Sequence, residues 1–570
     1  MDVSSFYSPG RQLTRFTHLE VANDAVEKSR SQKIDVVLLP PAAGCRGIES
    51  DEEDDDDILD KDWIPNEVSG EVEVHEEEEE DDVAEEDVAK ESENEENRRW
   101  RKTERLPLQA HCMPQKVGED HFGKEPYEIF NLFFGPEIIQ HITEQTNLYA
   151  VRDKNASNFH VTEEEIRKFL GLLLISGYHS LPSENDYWST SEDLVAPVFA
   201  KTMSRDRFRT IKRYLHLADN SNLAGSKMAK VLPLLEMIRS NCQKFGVFHE
   251  LLSIDESTIP YHGHHSAKQF IRNKPIRFGC KMWMLCGVDG YPYNFSIYCG
   301  KEGDSKTRQL GSHVVMSMLQ PVESPDHHVV FFDNFFTSHG LLTELTAKGF
   351  RACGTVRDNR TGKCPLPSKK EVEKKERGYF DYKSDGTVLC VKWNDNSSVT
   401  VASNYYGVNP IHKVERRVRK ENKKAVEQPH LIHMYNKGMG GVDVCDRMLS
   451  SYRPRLRSKK WWWNIFSNML NLAVVAAFRF YQYIGGSACM SHIMFRREIT
   501  RAMVKVQEHR KRLGGPSVQP AKAVRYDGVN HILDSCTQGR CCLCMKNTRL
   551  QCTKCGKRLH KVCSEAYHQK

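Results

Sequence analysis

No run of this 570-residue chain is apolar enough to cross a membrane. The longest candidate, MLNLAVVAAF at 469–478, is about half the ~20 residues that a spanning helix needs. The first residues, MDVSSFYSPGRQ, lack the apolar core of a secretory leader, so secretion is not expected. Without an oxidising compartment, the 18 cysteines read as reduced thiols and metal ligands rather than disulfides. No internal repeat is found. Aromatic residues are scarce over roughly the first hundred positions, and a segment that poor in apolar surface cannot offset its chain entropy. Residues 1–105 are therefore expected to be disordered.

What is present is distributed unevenly. Lys and Arg number 81 against 77 Asp and Glu, a net charge of +4. The stretch Asp51–Glu96 alone holds 26 acidic and two basic residues, which leaves the rest of the chain at +28. A basic body of that size suits a polyanionic partner such as DNA. The acidic stretch reads as a solvating tail or as an arm that competes with DNA for the basic body.

The length allows several domains. Residues 121–250 read as helical. Thr162 and Glu165 form a capping box before an apolar run, and Ser204 caps a second helix with Phe208, Ile211 and Leu215 at helical spacing. The other faces of that second helix carry Arg205, Arg207, Arg209, Lys212 and Arg213, a surface for solvent or for DNA. Residues 251–360 alternate strand-like runs (KMWMLCGV, YNFSIYCG, HHVVFFD) with helical stretches such as SHGLLTELTAKG, the pattern of an α/β core. Residues 361–425 contain the short strand-like pieces GTVLCVKW and SVTVAS and read as an insertion. They close on KVERRVRKENKK, a basic loop or nuclear import signal. The core resumes over 426–446, basic helix follows over 447–513, and 514–535 is a linker.

Three aspartates carry the chemistry. Asp255 in LLSIDEST and Asp333 in VVFFDNFFTS each follow an apolar run that reads as a buried strand. Asp443 in GGVDVCDRML follows a Gly pair at a helix start, with Asp446 one turn on. Carboxylates held by strands and helix starts can gather around two Mg²⁺ ions, which clamp the attacking and leaving oxygens of a phosphodiester displacement. Glu256 ranks below Asp255, because adjacent strand residues face opposite ways.

Residues 536–570 carry a second chemistry. Cys541, Cys544, Cys552, Cys555, His560, Cys563 and His568 form two CxxC pairs and an HxxC at zinc-ligand spacing. Seven ligands exceed one tetrahedral site, so two Zn²⁺ are expected. A cross-brace puts Cys541, Cys544, His560 and Cys563 on one ion and Cys552, Cys555 and His568 on the other. His531 is the candidate eighth ligand, with Cys536 and Cys542 as competitors. A span this short has little core, so metal must supply folding energy.

The flanking motifs SGYHSLPSENDYW, RDRFRTIKRYLHLADN, SIDESTIPYHG, FIRNKPIRFGCKMW, FFDNFFTS, YNKGMGGVDVCDRM and YDGVNH resemble the piggyBac family of cut-and-paste DNA transposases, over roughly residues 125–570. The resemblance implies an RNase H-like α/β core interrupted by an insertion domain, wrapped by a bipartite helical dimerisation and DNA-binding domain, with a small C-terminal zinc-binding domain. It places Asp255, Asp333 and Asp443 on the family's metal-binding acids and Asp446 on a fourth. It further implies strand nicking, hairpin formation and joining at TTAA targets by a nuclear homodimer on transposon ends. Lys274, Arg277, Arg453, Arg455, Arg457, Lys459 and Lys460 are the candidate DNA contacts. Trp461 is a candidate platform for an unstacked base, set against core packing of the Trp461–Trp463 run. The chain departs from the family by carrying His262 and His264 where Arg is common. His262, His264 and His265 read as a polar turn rather than a zinc site. Lys554, Lys557, Arg558 and Lys561 of the cysteine-rich segment suit phosphate contact, and a PHD-like histone reader is the rival. Two other readings of the whole chain are a domesticated chromatin protein and a structure-specific nuclease.

Overall fold

A computed structural model describes residues 99–505 and 525–569, apart from 105, 110–116, 224, 264, 266, 271–277, 301–308, 419–420, 486–489 and 527, together with the backbone of three strands nearer the N-terminus. Those strands, β1 (Gln12–Phe16), β2 (Lys33–Leu38) and β3 (Val72–Glu77), pair antiparallel in the order β1-β3-β2. The rest of the acidic segment lies outside the described residues. Two units cluster separately, Met1–Lys505 and Val506–Lys570.

A nine-stranded mixed sheet organises the first unit. It is built from β4 (Leu251–Pro260), β5 (Lys268–Phe270), β6 (Phe278–Gly287), β7 (Pro292–Ile297), β8 (Val329–Phe332), β9 (Arg351–Thr355), β10 (Phe380–Ser384), β11 (Leu389–Asn394) and β12 (Ser398–Ser403). The order is β10-β11-β12-β9-β8-β4-β6-β5, with β7 on β6. Only β4–β8 and β8–β9 are parallel. All four residues of β8 are completely buried, as a central parallel strand covered on both faces requires. Residues 361–425, expected as an insertion, supply three strands to this sheet. Their basic run is not a loop. It forms a separate antiparallel hairpin, β13 (His412–Val418) with β14 (Glu421–Gln428), in which Val414 pairs directly with Val426.

Helices from both sides of the sheet in sequence pack together. They include α1 (Pro136–Leu148), α2 (Glu163–Ser176), α3 (Arg205–Tyr214) and α4 (Leu232–Gln243) before it and, after α5 (His339–Ala347) and α6 (His430–Gly438), which pack on the strands, α7 (Gly441–Ser451), α8 (Trp463–Tyr483) and α9 (His492–Val504). The Thr162–Glu165 capping box and the Ser204 cap both form, and Phe208, Ile211 and Leu215 are fully buried. Every residue of α8 from Ile465 to Phe478 is buried, so the apolar MLNLAVVAAF run belongs to the protein core. Among the described residues no helix is long and apolar enough to cross a membrane. Each fully buried Leu or Phe there contributes ~1.5–3 kcal/mol relative to exposure. At Gly171 of α2 a side chain would meet Val504 and Met503, so α9 packs directly on the α2 backbone.

In the second unit, β15 (Leu533–Arg540) and β16 (Asn547–Cys552) form a hairpin, and α10 (Lys561–His568) follows.

Candidate metal and nucleic-acid site

The parallel ladder ends where the acids begin. Its last pair is Ile254 with Phe332, so Asp255 and Asp333 are the next residues on neighbouring strands. Ligand sites of α/β sheets form at these carboxyl ends. Asp333 was expected to follow a strand and does. Asp255 was expected to do the same but lies within β4, because antiparallel pairing with β6 carries the strand on to Pro260.

Helix α7 is fastened beside Asp255. On a strand, Ser253, Asp255 and Ser257 share one face. Ser253 Oγ accepts the Val442 amide at 3.2 Å, and Ser257 Oγ donates to Asp446 Oδ1 at 2.5 Å. These two bonds flank Asp255 and hold the helix turn that carries Asp443 and Asp446. Close approach needs Gly441, where a Cβ would overlap Gly287 O and Ser253 Oγ. Asp443 is exposed, in the first turn of α7, where the helix dipole favours a negative charge.

The carboxylates differ in environment. Burial pushes Asp333 above the usual carboxylate range, against the Phe335 amide that donates to its Oδ1 at 2.9 Å, and Glu256 adds like-charge repulsion. Tyr435 of α6 bonds Thr355 Oγ1 at 3.4 Å, and burial raises its phenol pKa, with Asp333 and Asp255 adding to the rise. Glu256 faces the other side of β4, with Trp283 and Lys281 of β6. The residues that sequence reasoning missed are Ser253, Ser257, Lys281 and Tyr435. The alternation in SIDES was a legible signal for the two serines. Nothing local marked Lys281 or Tyr435.

The donor set suits hard divalent cations. All the oxygens are carboxylate, as Mg²⁺ prefers. Asp255, Asp333 and Asp443 do not bring their carboxylate oxygens all within 4.8 Å of one another. A pair of ions ~3.5–4 Å apart, each ~2.1 Å from its ligands, accepts oxygens up to roughly 8 Å apart.

The cationic segment after α7 splits into two kinds of residue. Arg455, Arg457 and Lys459 are exposed, while Arg453 is partly buried, which lowers its pKa against the attraction of Asp446. Lys460 does not present a surface to DNA. It is 2 % exposed, and its Nζ donates to the carbonyls of Lys212, Arg213 and Leu215 at 2.8–2.9 Å. It is the C-terminal cap of α3. Trp461 is also buried, and its ring stacks on His265 with centroids 4.1 Å apart. A base could not reach that ring face without displacing His265. Lys274, Arg277 and His264 lie outside the described residues, and His262 is exposed. The basic positions of α3 are largely spent internally. Arg207 pairs with Glu165 at 2.9 Å, Lys212 with buried Glu184 at 2.7 Å, and Arg209 donates to Asn185 at 2.6 Å.

In the second unit the ligand atoms converge in two sets, Cys541, Cys544, His560, Cys563 and His531, Cys552, Cys555, His568. His531 thus takes the eighth position, ahead of Cys536 and Cys542. The histidines are oriented as metal ligands are. His560 directs Nδ1 to Cys544 Sγ at 3.3 Å while Nε2 bonds Asn547 O at 3.0 Å, and His568 Nδ1 bonds Ser564 O at 2.8 Å. Burial raises the Cys541 thiol, but amide donors from Cys544 and Leu543 outweigh it and bring the pKa down to about 6. Mixed sulfur and imidazole sets of four fit Zn²⁺. Of the cations there, Lys554 and Lys561 are exposed, Lys557 is buried and Arg558 is bonded to Thr537.

Comparison with known proteins follows this geometry. A family model described as Transposase IS4 matches residues 125–478. The human PiggyBac transposable element-derived protein 3 is 37% identical over 456 residues, 78% of this chain and 76% of the relative. The human PiggyBac transposable element-derived protein 2 is 33% identical over 454 residues, with the same coverage of both chains. A cryo-EM structure of the piggyBac transposase synaptic complex with hairpin DNA matches with a TM-score of 0.59 at 21% identity, over 79% of this chain and 100% of that one. The chain belongs to the piggyBac transposase family.

Proposed function

We propose that the protein is a cut-and-paste DNA transposase whose strand nicking, hairpin formation and joining at TTAA targets occur at Asp255, Asp333 and Asp443. The observation that carries this reading is the placement of Asp255 and Asp333 at the end of the parallel ladder, with the α7 acids fastened alongside. Two Mg²⁺ held by these three acids would supply an acidified water and charge relief on the leaving 3′ oxygen. Asp446 positions α7 through Ser257 and is a candidate further ligand. Arg455, Arg457 and Lys459 offer exposed cations for the DNA backbone. The RNase H-like core, the bipartite helical domain and a homodimer acting in the nucleus are parts of the same reading. So is a C-terminal unit with two Zn²⁺ that recognises transposon ends.

A second reading rests on the relatives' names. Both human proteins are described as transposable element-derived, which fits a host DNA-binding protein that has kept the fold without the reaction.

Excision in cells separates the two. A reporter flanked by candidate terminal repeats is supplied with the chain or with Asp333→Asn. The proposal expects seamless excision by the chain and loss of at least ~10²-fold in the variant. Zinc-dependent end binding without excision favours the second reading.

A further inference from the structure

Lys281 is held on the Glu256 face of β4, against the Phe335 whose amide bonds Asp333, by contacts the reaction outlined above leaves unused. It stands on β6, with its Cα paired to Thr258, two residues beyond Glu256 on β4. Its Nζ lies 3.7 Å from Glu256 Oε2, and both side chains are 18 % exposed. The same nitrogen sits 4.1 Å from the centroid of the Trp283 ring and 5.1 Å from that of Phe335. Trp283 and Phe335 stack on each other, with centroids 5.7 Å apart and planes 18° apart. Phe335 is also the residue whose amide donates to Asp333 Oδ1. An ammonium against two stacked rings, largely withdrawn from water, is fixed in place rather than swinging in solvent.

A lone metal-binding carboxylate needs no lysine. A fixed cation beside acids that await divalent ions has two consequences. It offsets their mutual repulsion before the ions bind, and it opposes the ions when they arrive. Once the ions are bound, the same ammonium still adds positive charge that attracts an incoming anion. From the geometry of Lys281, Glu256, Trp283, Phe335 and Asp333 we propose that Lys281 is a built-in placeholder cation of the acid site, which competes with the divalent ions and then contacts the scissile phosphodiester. The proposal rests on the metal-dependent reading of the acid site.

The test compares the full chain with Lys281→Met, Lys281→Arg and Asp333→Asn. Met keeps the apolar stem on the aromatic rings, and Arg keeps the charge. Mn²⁺ affinity is measured without DNA, and single-turnover cleavage of end DNA is measured at saturating Mg²⁺. Lys281→Met is expected to bind Mn²⁺ about tenfold more tightly and yet cleave about 10²-fold more slowly. Lys281→Arg should retain near-native Mn²⁺ affinity and recover part of the rate. Opposite movement of affinity and rate is not produced by loss of packing. Unchanged or weaker Mn²⁺ binding in Lys281→Met overturns the proposal, and so does an unchanged cleavage rate. If no chain cleaves and Asp333→Asn still removes the Mn²⁺ site, the transposase reading fails and the Mn²⁺ comparison alone decides the placeholder.

Discussion

Lys460 and Arg457 show how much a residue's role depends on what surrounds its charge. Both were expected to touch DNA, and both sit in the same RSKKWWW run. Lys460 points inward and satisfies three carbonyls at the end of α3. Lys460→Met should therefore cost about 2–4 kcal/mol of stability, because buried carbonyls lose their donor. Arg457 is exposed, so Arg457→Gln should change stability by less than ~0.5 kcal/mol and weaken DNA binding instead. Thermal unfolding and a salt-dependent binding titration of both variants check the pair, and an exchange of the two effects would sink the assignment. Ser257 makes a similar point. It has no charge, yet it fixes Asp446. Ser257→Ala should lower Mn²⁺ affinity or excision by ~10–100-fold, as loss of a ligand-orienting partner does. Equal activity of the variant would remove Ser257 from the site.

At the scale of elements, α9 carries a pH dependence. His492 begins this helix, stacked on Phe478 with centroids 5.0 Å apart. Burial lowers its pKa to about 3, and Arg496 and Arg479 push the same way. The unfolded chain holds an ordinary histidine near ~6.5. Its lowered folded pKa gives stability that is complete above ~6.5 and lost as pH falls toward 3, because the unfolded state binds the proton first. The slope from this one group is up to about 1.4 kcal/mol per pH unit. Denaturant unfolding from pH 7 to pH 4 should be shallower for His492→Phe by that amount. Matching slopes would place the acid sensitivity elsewhere. The β15–β16 hairpin and α10 depend on metal in a different way. Their buried cluster is little more than Cys541, Cys552, Cys555, Leu559 and Tyr567. Chelation at neutral pH should unfold residues 528–569 and leave the unfolding transition of the larger unit in place. Retained hairpin signals in a metal-free sample would show that apolar packing suffices.

At the scale of the whole molecule, the strands and the sites were legible to different degrees. VVFF and VTEEEIRKFLGLLL announce a buried strand and a capped helix through local patterning alone, and both form as expected. Residues 361–425 looked separable because they are more polar, yet β10–β12 extend the central sheet. Sequence distance concealed that pairing, since a sheet edge is completed by hydrogen bonds whose partners lie far along the chain. The zinc-ligand spacing was readable because CxxC and HxxC turns are local. Selecting His531 over Cys536 and Cys542 required the hairpin that brings it to Cys552 and Cys555.

The sequence by itself determined many of the strand and helix segments, the basic body, and the acids that follow apolar strand runs or begin a helix. These follow from periodicity, capping and charge, which act over a few residues. Tertiary structure alone decided which cations are caps and which are exposed, that Trp461 is covered by His265, and that Ser253 and Ser257 fasten α7 beside Asp255. Burial and hydrogen bonding between elements depend on where the chain crosses itself, and no local pattern encodes those distances.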